Sequence, residues 1–221
     1  SDVDDKVGEL LDTLTKTGFA DNTIIIFTSD HGDMLGERGM WFKMSYLENS
    51  ARIPLIIHAP LHFKPGRVEQ SVSLVDFLPS LVEISRDGKS GDYATPLEGR
   101  SLVPHCSGTD GHDEAIGEYF AEGSPNPIYM IRRGNFKLIY STSDPLQYFD
   151  LKSDPLECHN LINSIEHQNE INQLVSEINQ QYDHQALSDR VIESQRRRRF
   201  LKNVMRDQKV NWDYQANEEA A

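Results

Sequence analysis

Asp30, His31 and Lys43 are the residues of this sequence whose types and spacing could do chemistry. The first two close the stretch "TIIIFTSDHG", in which an apolar run leads straight into Ser-Asp-His-Gly. A carboxylate and an imidazole both ligate divalent cations, and adjacent loop residues can turn their heads to one centre. Lys43 follows in "MWFKMSYL", where its immediate neighbours are uncharged, and could set an ammonium against an anion held by such a cation. Gly32 removes a side chain where the backbone must turn sharply or approach another group closely. The same Asp-His-Gly also suits a plain tight turn, and a lone lysine suits a solvated surface, so the spacing alone leaves both readings open.

The elements that would position these residues follow from the periodicity. Val3, Val7, Leu10, Leu11 and Leu14 fall at helical spacing before Gly18, which predicts an amphipathic helix over 3–17. "TIIIFT" (23–28) is a continuous β-branched run and predicts a central strand buried on both faces of an α/β sheet. Ligands in such sheets bind beyond the carboxyl ends of the strands, which is where Asp30 and His31 stand. "RIPLIIHAP" (52–60) reads as a second strand, and "VDFLPSLVEIS" (75–85) as a short helix with Asp76 near its start. "GRSLVP" (99–104) reads as a turn opening a helix.

"EAIGEYFAEG", "IYMIRRGNFKLIYS" and "LQYFDL" are aromatic and β-branched segments separated by turn residues, and predict a small antiparallel sheet. Beyond residue 164, Ile165, Ile171, Leu174, Val175 and Ile178 recur at helical spacing, and a charged helical tail follows. This gives three units: 1–110 as part of an α/β domain, 111–163 as a small antiparallel subdomain, and 164–221 as a helical tail. A parallel sheet needs more strands than these, so the front half of the α/β domain is expected to lie outside this sequence.

The bulk numbers exclude some partners. With 35 acidic against 22 basic residues, the net charge of −13 argues against nucleic acid and anionic membranes. "RRRR" (196–199) reads as a solvated or subunit-contacting helix face. No apolar run approaches the about 20 residues that span a bilayer. Cys106 and Cys158 have neither metal-like nor disulfide-framework spacing, and a reducing, cytoplasmic setting fits them.

"TIIIFTSDHGDMLGERGMWFKMSYLENSARIPLIIHAP" resembles a signature region of the type I sulfatases, within the alkaline phosphatase superfamily. "VDFLPSLVEI", "LEGRSLVP", "IRRGNFKLIY" and "YFDLKSDPLECHNL" agree in order, so the resemblance covers residues 1 to about 162. Asp-His-Gly-Asp is similar to the form in choline sulfatases and phosphonate monoester hydrolases, where many arylsulfatases carry Asn in place of His31. The tail, with "ESQRRRRFL" and "NWDYQ", narrows the resemblance to choline sulfatases.

The resemblance implies the C-terminal part of an alkaline-phosphatase-like α/β fold, and hydrolysis of choline-O-sulfate to choline and sulfate by the whole enzyme. It implies Asp30 and His31 as ligands of one divalent metal, Ca²⁺ or Mn²⁺, and Lys43 as the catalytic lysine that contacts the sulfate oxygens. It also implies a formylglycine nucleophile, made from Cys or Ser in a Cys-x-Pro/Ala-x-Arg motif. Neither Cys106 in "HCSGT" nor Cys158 in "ECHNL" has that context, so the chain by itself is expected to be inactive. A quaternary ammonium calls for an aromatic or acidic cage, for which Glu122, Trp212, Asp213 and Tyr214 stand as candidates. Glu122 equally fits a solvated loop, and the tail aromatics equally fit an anchor between subunits of a homo-oligomer. A phosphonate or phosphate ester hydrolase is the enzymatic alternative. A truncated, noncatalytic remnant or binding module is the other.

Overall fold

The computed structural model describes residues 1–205 apart from 87, 90, 122 and 123. The helical spacing at the start forms α1 (Asp2–Thr17). The Ser1 hydroxyl caps it by accepting from the Asp4 amide, and Asp2, Asp4 and Asp5 sit in the first turn, where the helix dipole favours negative charge. Gly18 ends it at φ 76°, a left-handed position that glycine takes without a Cβ clash.

β1 (Ile25–Thr28) and β2 (Leu55–His58) pair antiparallel, with Ile26 opposite Ile57 and Phe27 opposite Ile56. Strand alternation sends Ile26 and Ile57 to one face, against α3 (Phe77–Ser85) and α4 (Val103–Cys106). The other face keeps Phe27 37% and Ile56 61% exposed. The expectation of a central strand buried on both faces therefore fails for this chain. An apolar run reports the burial that a sheet with two covering layers would give; here the described residues supply one neighbouring strand and one layer. Leu10 of α1 and Leu78 and Leu81 of α3 are likewise exposed.

The antiparallel sheet forms as its alternation predicts: β3 (Glu114–Tyr119), β4 (Ile128–Arg133), β5 (Phe136–Ser141) and β6 (Gln147–Asp150), each paired to the next. Both of its faces are covered. The cross-strand row Ile131–Leu138–Tyr148, with Tyr129, packs on Ile171, Leu174 and Ile178 of α5 (Gln168–Gln181). Each such buried aliphatic side chain contributes about 1.5–3 kcal/mol. Ile165 is the exception to the helical spacing: it lies in the turn before α5 and is exposed.

The opposite row, Arg132–Lys137–Phe149, faces the segment that follows β1. There Phe149 and Leu151 pack on Met34 and Leu47, just before α2 (Glu48–Ala51). The sheet is thus the platform on which the loop carrying Lys43 rests. The chain continues into α6 (His184–Val204), started by the Asp183 carboxylate accepting from the Ala186 amide, with the four arginines exposed. Among the described residues no helix is long and apolar enough to cross a membrane.

Candidate functional site

β1 ends at Thr28, and the next four residues fold back on themselves. The Ser29 hydroxyl donates to the His31 carbonyl (2.7 Å), and the His31 amide donates to Asp30 Oδ1 (2.9 Å). That amide holds the Asp30 carboxyl below the usual range, against a smaller opposing effect of desolvation, so an ionised carboxylate stands at the strand end.

His31 Nδ1 lies 2.8 Å from the Gly32 carbonyl oxygen. A carbonyl only accepts, so Nδ1 carries the proton and Nε2 presents its lone pair. Nε2 faces Lys43 Nζ at 2.8 Å and Asp30 Oδ2 at 3.3 Å. Asp30, His31 and Lys43 are therefore brought together.

Gly32 makes the close approach foreseen for it, toward protein backbone. Its amide donates to the Ser50 carbonyl (2.8 Å), and a Cβ there would come within 2.1 Å of the Asn49 carbonyl oxygen. The turn that carries Asp30 and His31 is in this way locked onto α2.

The three polar heads stand in a cleft of about 260 Å³ whose remaining wall is largely apolar, including Tyr46, Tyr119, Ile116 and Met130. β3 and β4 supply the last three, and Tyr46 lies over Gly117, where a Cβ would meet its ring at 2.5 Å. These wall residues were not singled out from the sequence. The available signal was Gly117, since a glycine inside an apolar strand marks a close approach. Glu122, Trp212, Asp213 and Tyr214 lie outside the described residues.

One carboxylate oxygen donor and one imidazole whose Nδ1–H is already engaged fit part of a divalent-cation site. Among the described residues no group of three His, Cys, Asp or Glu side chains is placed to hold a metal, so Asp30 and His31 make an incomplete set. Cys106 sits half-buried on α4, where burial pushes its thiol pKa up, the opposite of an activated nucleophile. Cys158 is exposed.

Comparison with known proteins bears on this geometry. The sulfatase family profile matches residues 1–85. The choline-sulfatase of Rhizobium meliloti (strain 1021) is 48% identical over 160 residues, which cover 72% of this chain and 31% of that protein. Among solved structures, BT4656 in complex with its substrate D-glucosamine-2-N,6-O-disulfate aligns with a TM-score of 0.67 and 34% identity, over 81% of this chain and 38% of that one. The phosphonate monoester hydrolase of Agrobacterium radiobacter aligns with a TM-score of 0.65 and 26% identity, over 86% and 39%. The chain spans about a third of the length of the curated relatives it matches.

Proposed function

Because the chain belongs to the sulfatase family, we propose that it forms the C-terminal part of a sulfuric ester hydrolase acting on choline-O-sulfate. The observation that carries this reading is the convergence of the Asp30 carboxylate, the His31 Nε2 lone pair and the Lys43 ammonium in the lining of one cleft. Asp30 and His31 would supply two ligands to a single Ca²⁺ or Mn²⁺, whose positive charge would act on the sulfate oxygens as a Lewis acid. Lys43 binds a sulfate oxygen and stabilises the charge that grows as the ester bond breaks.

The remaining metal ligands and a formylglycine nucleophile belong, in this reading, to sequence outside the 221 residues, and the isolated chain does not turn over. Choline-O-sulfate is favoured by the 48% identity to a choline-sulfatase. Trp212, Asp213 and Tyr214 are assigned to the choline end or to contact between copies of a homo-oligomer, and Glu122 to the choline end. A cytoplasmic setting agrees with two cysteines that are both free. The structural likeness to a phosphonate monoester hydrolase supports a second reading, hydrolysis of phosphonate or phosphate esters on the same frame.

The test is to purify the intact polypeptide that carries this segment, measure its bound metal, and follow release of sulfate from choline-O-sulfate and of product from a phosphonate monoester. Preferential release from choline-O-sulfate supports the proposal. Preference for the phosphonate moves the assignment to the second reading. No hydrolysis and no bound metal would identify a noncatalytic remnant.

A further inference from the structure

Among the described residues the most completely buried charged side chain lies outside the site. Lys137 of β5 keeps 1% of its side chain exposed and Glu157 3%. The Lys137 ammonium donates to the Tyr46 carbonyl and to Glu48 Oε1, both at 2.8 Å, and stands 2.5 Å from Glu157 Oε1 in an ionic contact. The other oxygen of Glu48, Oε2, accepts from Arg132, the cross-strand neighbour of Lys137, at 3.4 Å.

Glu157 holds the same loop at two points. Its second carboxylate oxygen accepts from the Glu48 amide at 2.7 Å. Its backbone carbonyl, with that of Leu156 at 2.8 Å, accepts from the Arg38 guanidinium. Arg38 and Glu48 are the two ends of a loop, and Lys43 stands at its middle. Glu157 achieves this at φ 55°, a left-handed backbone position where glycine would be unstrained. A turn that needed only the backbone would be better served by glycine; a charged side chain there is explained by what its carboxylate holds.

We propose that Glu157 is a positioning residue, which clamps loop 38–48 at both ends through Arg38, Glu48 and Lys137 and so fixes where Lys43 stands. The proposal rests on the assignment of Lys43 to the sulfate-contacting role. It adds to that role a control point carried by the segment after β6.

The test replaces Glu157 by Gly, which relieves the backbone and deletes the carboxylate's hold on Glu48 and Lys137 while keeping the carbonyls that bind Arg38, and reads amide hydrogen exchange on this chain. Exchange at the 43–48 end of the loop is expected to rise about tenfold more than any rise in β4 and β5, because local opening is separable from global unfolding. Unchanged exchange in the loop, or an equal rise over the whole sheet, overturns the clamp. Should Glu157→Gly not fold, the exposed Arg38→Gln cuts one attachment only: faster exchange around 38–42 supports the proposal, and none overturns it. In the intact enzyme, Glu157→Gly is expected to lower kcat up to about 100-fold with KM nearly unchanged, as for a misplaced group that acts in the transition state. A fall in stability with kcat intact overturns positioning. An unmutated enzyme that cleaves no sulfate ester overturns the functional reading instead, and the exchange data still decide the clamp.

Discussion

Replacing Lys137 by Met keeps most of the stem's volume and deletes its ammonium, so the cost reports on the ion network. Two carboxylates lose a partner: Glu157, 3% exposed, and Glu48, 13% exposed. Removing one member of a buried pair costs about 3–5 kcal/mol, because the charge left behind is uncompensated. Each carboxylate here retains something: Glu157 keeps the Glu48 amide, and Glu48 keeps Arg132 at 3.4 Å. That places the loss near the lower end, about 3 kcal/mol. With a urea m-value of about 2 kcal/mol/M, the unfolding midpoint falls by about 1.5 M. Adding Glu157→Gln removes the stranded charge and should recover about 1–2 kcal/mol, a coupling typical of groups in one network. A loss below about 1 kcal/mol, the range of a solvated surface pair, would refute the reasoning. So would a double variant no more stable than Lys137→Met alone.

Gly32→Ala sets a Cβ 2.1 Å from the Asn49 carbonyl oxygen and should destabilise by about 2 kcal/mol in urea melts, as overpacking does. Gly8→Ala in α1, with open space around it, should instead stabilise by about 0.5–1 kcal/mol. His105 is buried edge-on to His112, its Nε2 finding no hydrogen-bond partner among the described residues, and burial first, then His112, holds its pKa below the ordinary 6.5. The unfolded chain then binds a proton that the folded chain refuses, so stability is complete above the ordinary histidine range and falls as pH drops below it. The drop in urea midpoint from pH 7.5 to pH 5.5 should shrink in His105→Leu; an unchanged drop would assign it to other groups.

The sequence showed most clearly what is local. α1, the four-strand sheet and α5 follow from periodicity, because helical spacing and strand alternation are local properties of the sequence, present in α1 even though none of its residues is buried. Asp30 and His31 stood out because they are adjacent at a strand end, whereas the placing of Lys43 beside them was open on spacing alone, 12 residues on, and leaned on the family resemblance. The exposure of Phe27 and Ile56 was not legible, since an apolar run records no count of covering layers. Nor was the Lys137 network: its partners are 89 residues apart for Glu48 with Lys137 and 109 for Glu48 with Glu157, and no pattern within β5 names them. A lysine between Phe136 and Leu138 in an otherwise apolar strand was the available sign that a buried partner would be needed.

The most direct test of the site is Lys43→Ala in the intact enzyme, with sulfate release from choline-O-sulfate and bound metal measured on the same preparation. Loss of one preorganised donor to developing charge predicts a kcat lower by about 10²–10³-fold with metal content unchanged. A kcat at the unmutated level would contradict the assignment of Lys43, and with it the reading of this cleft as a sulfate-ester site.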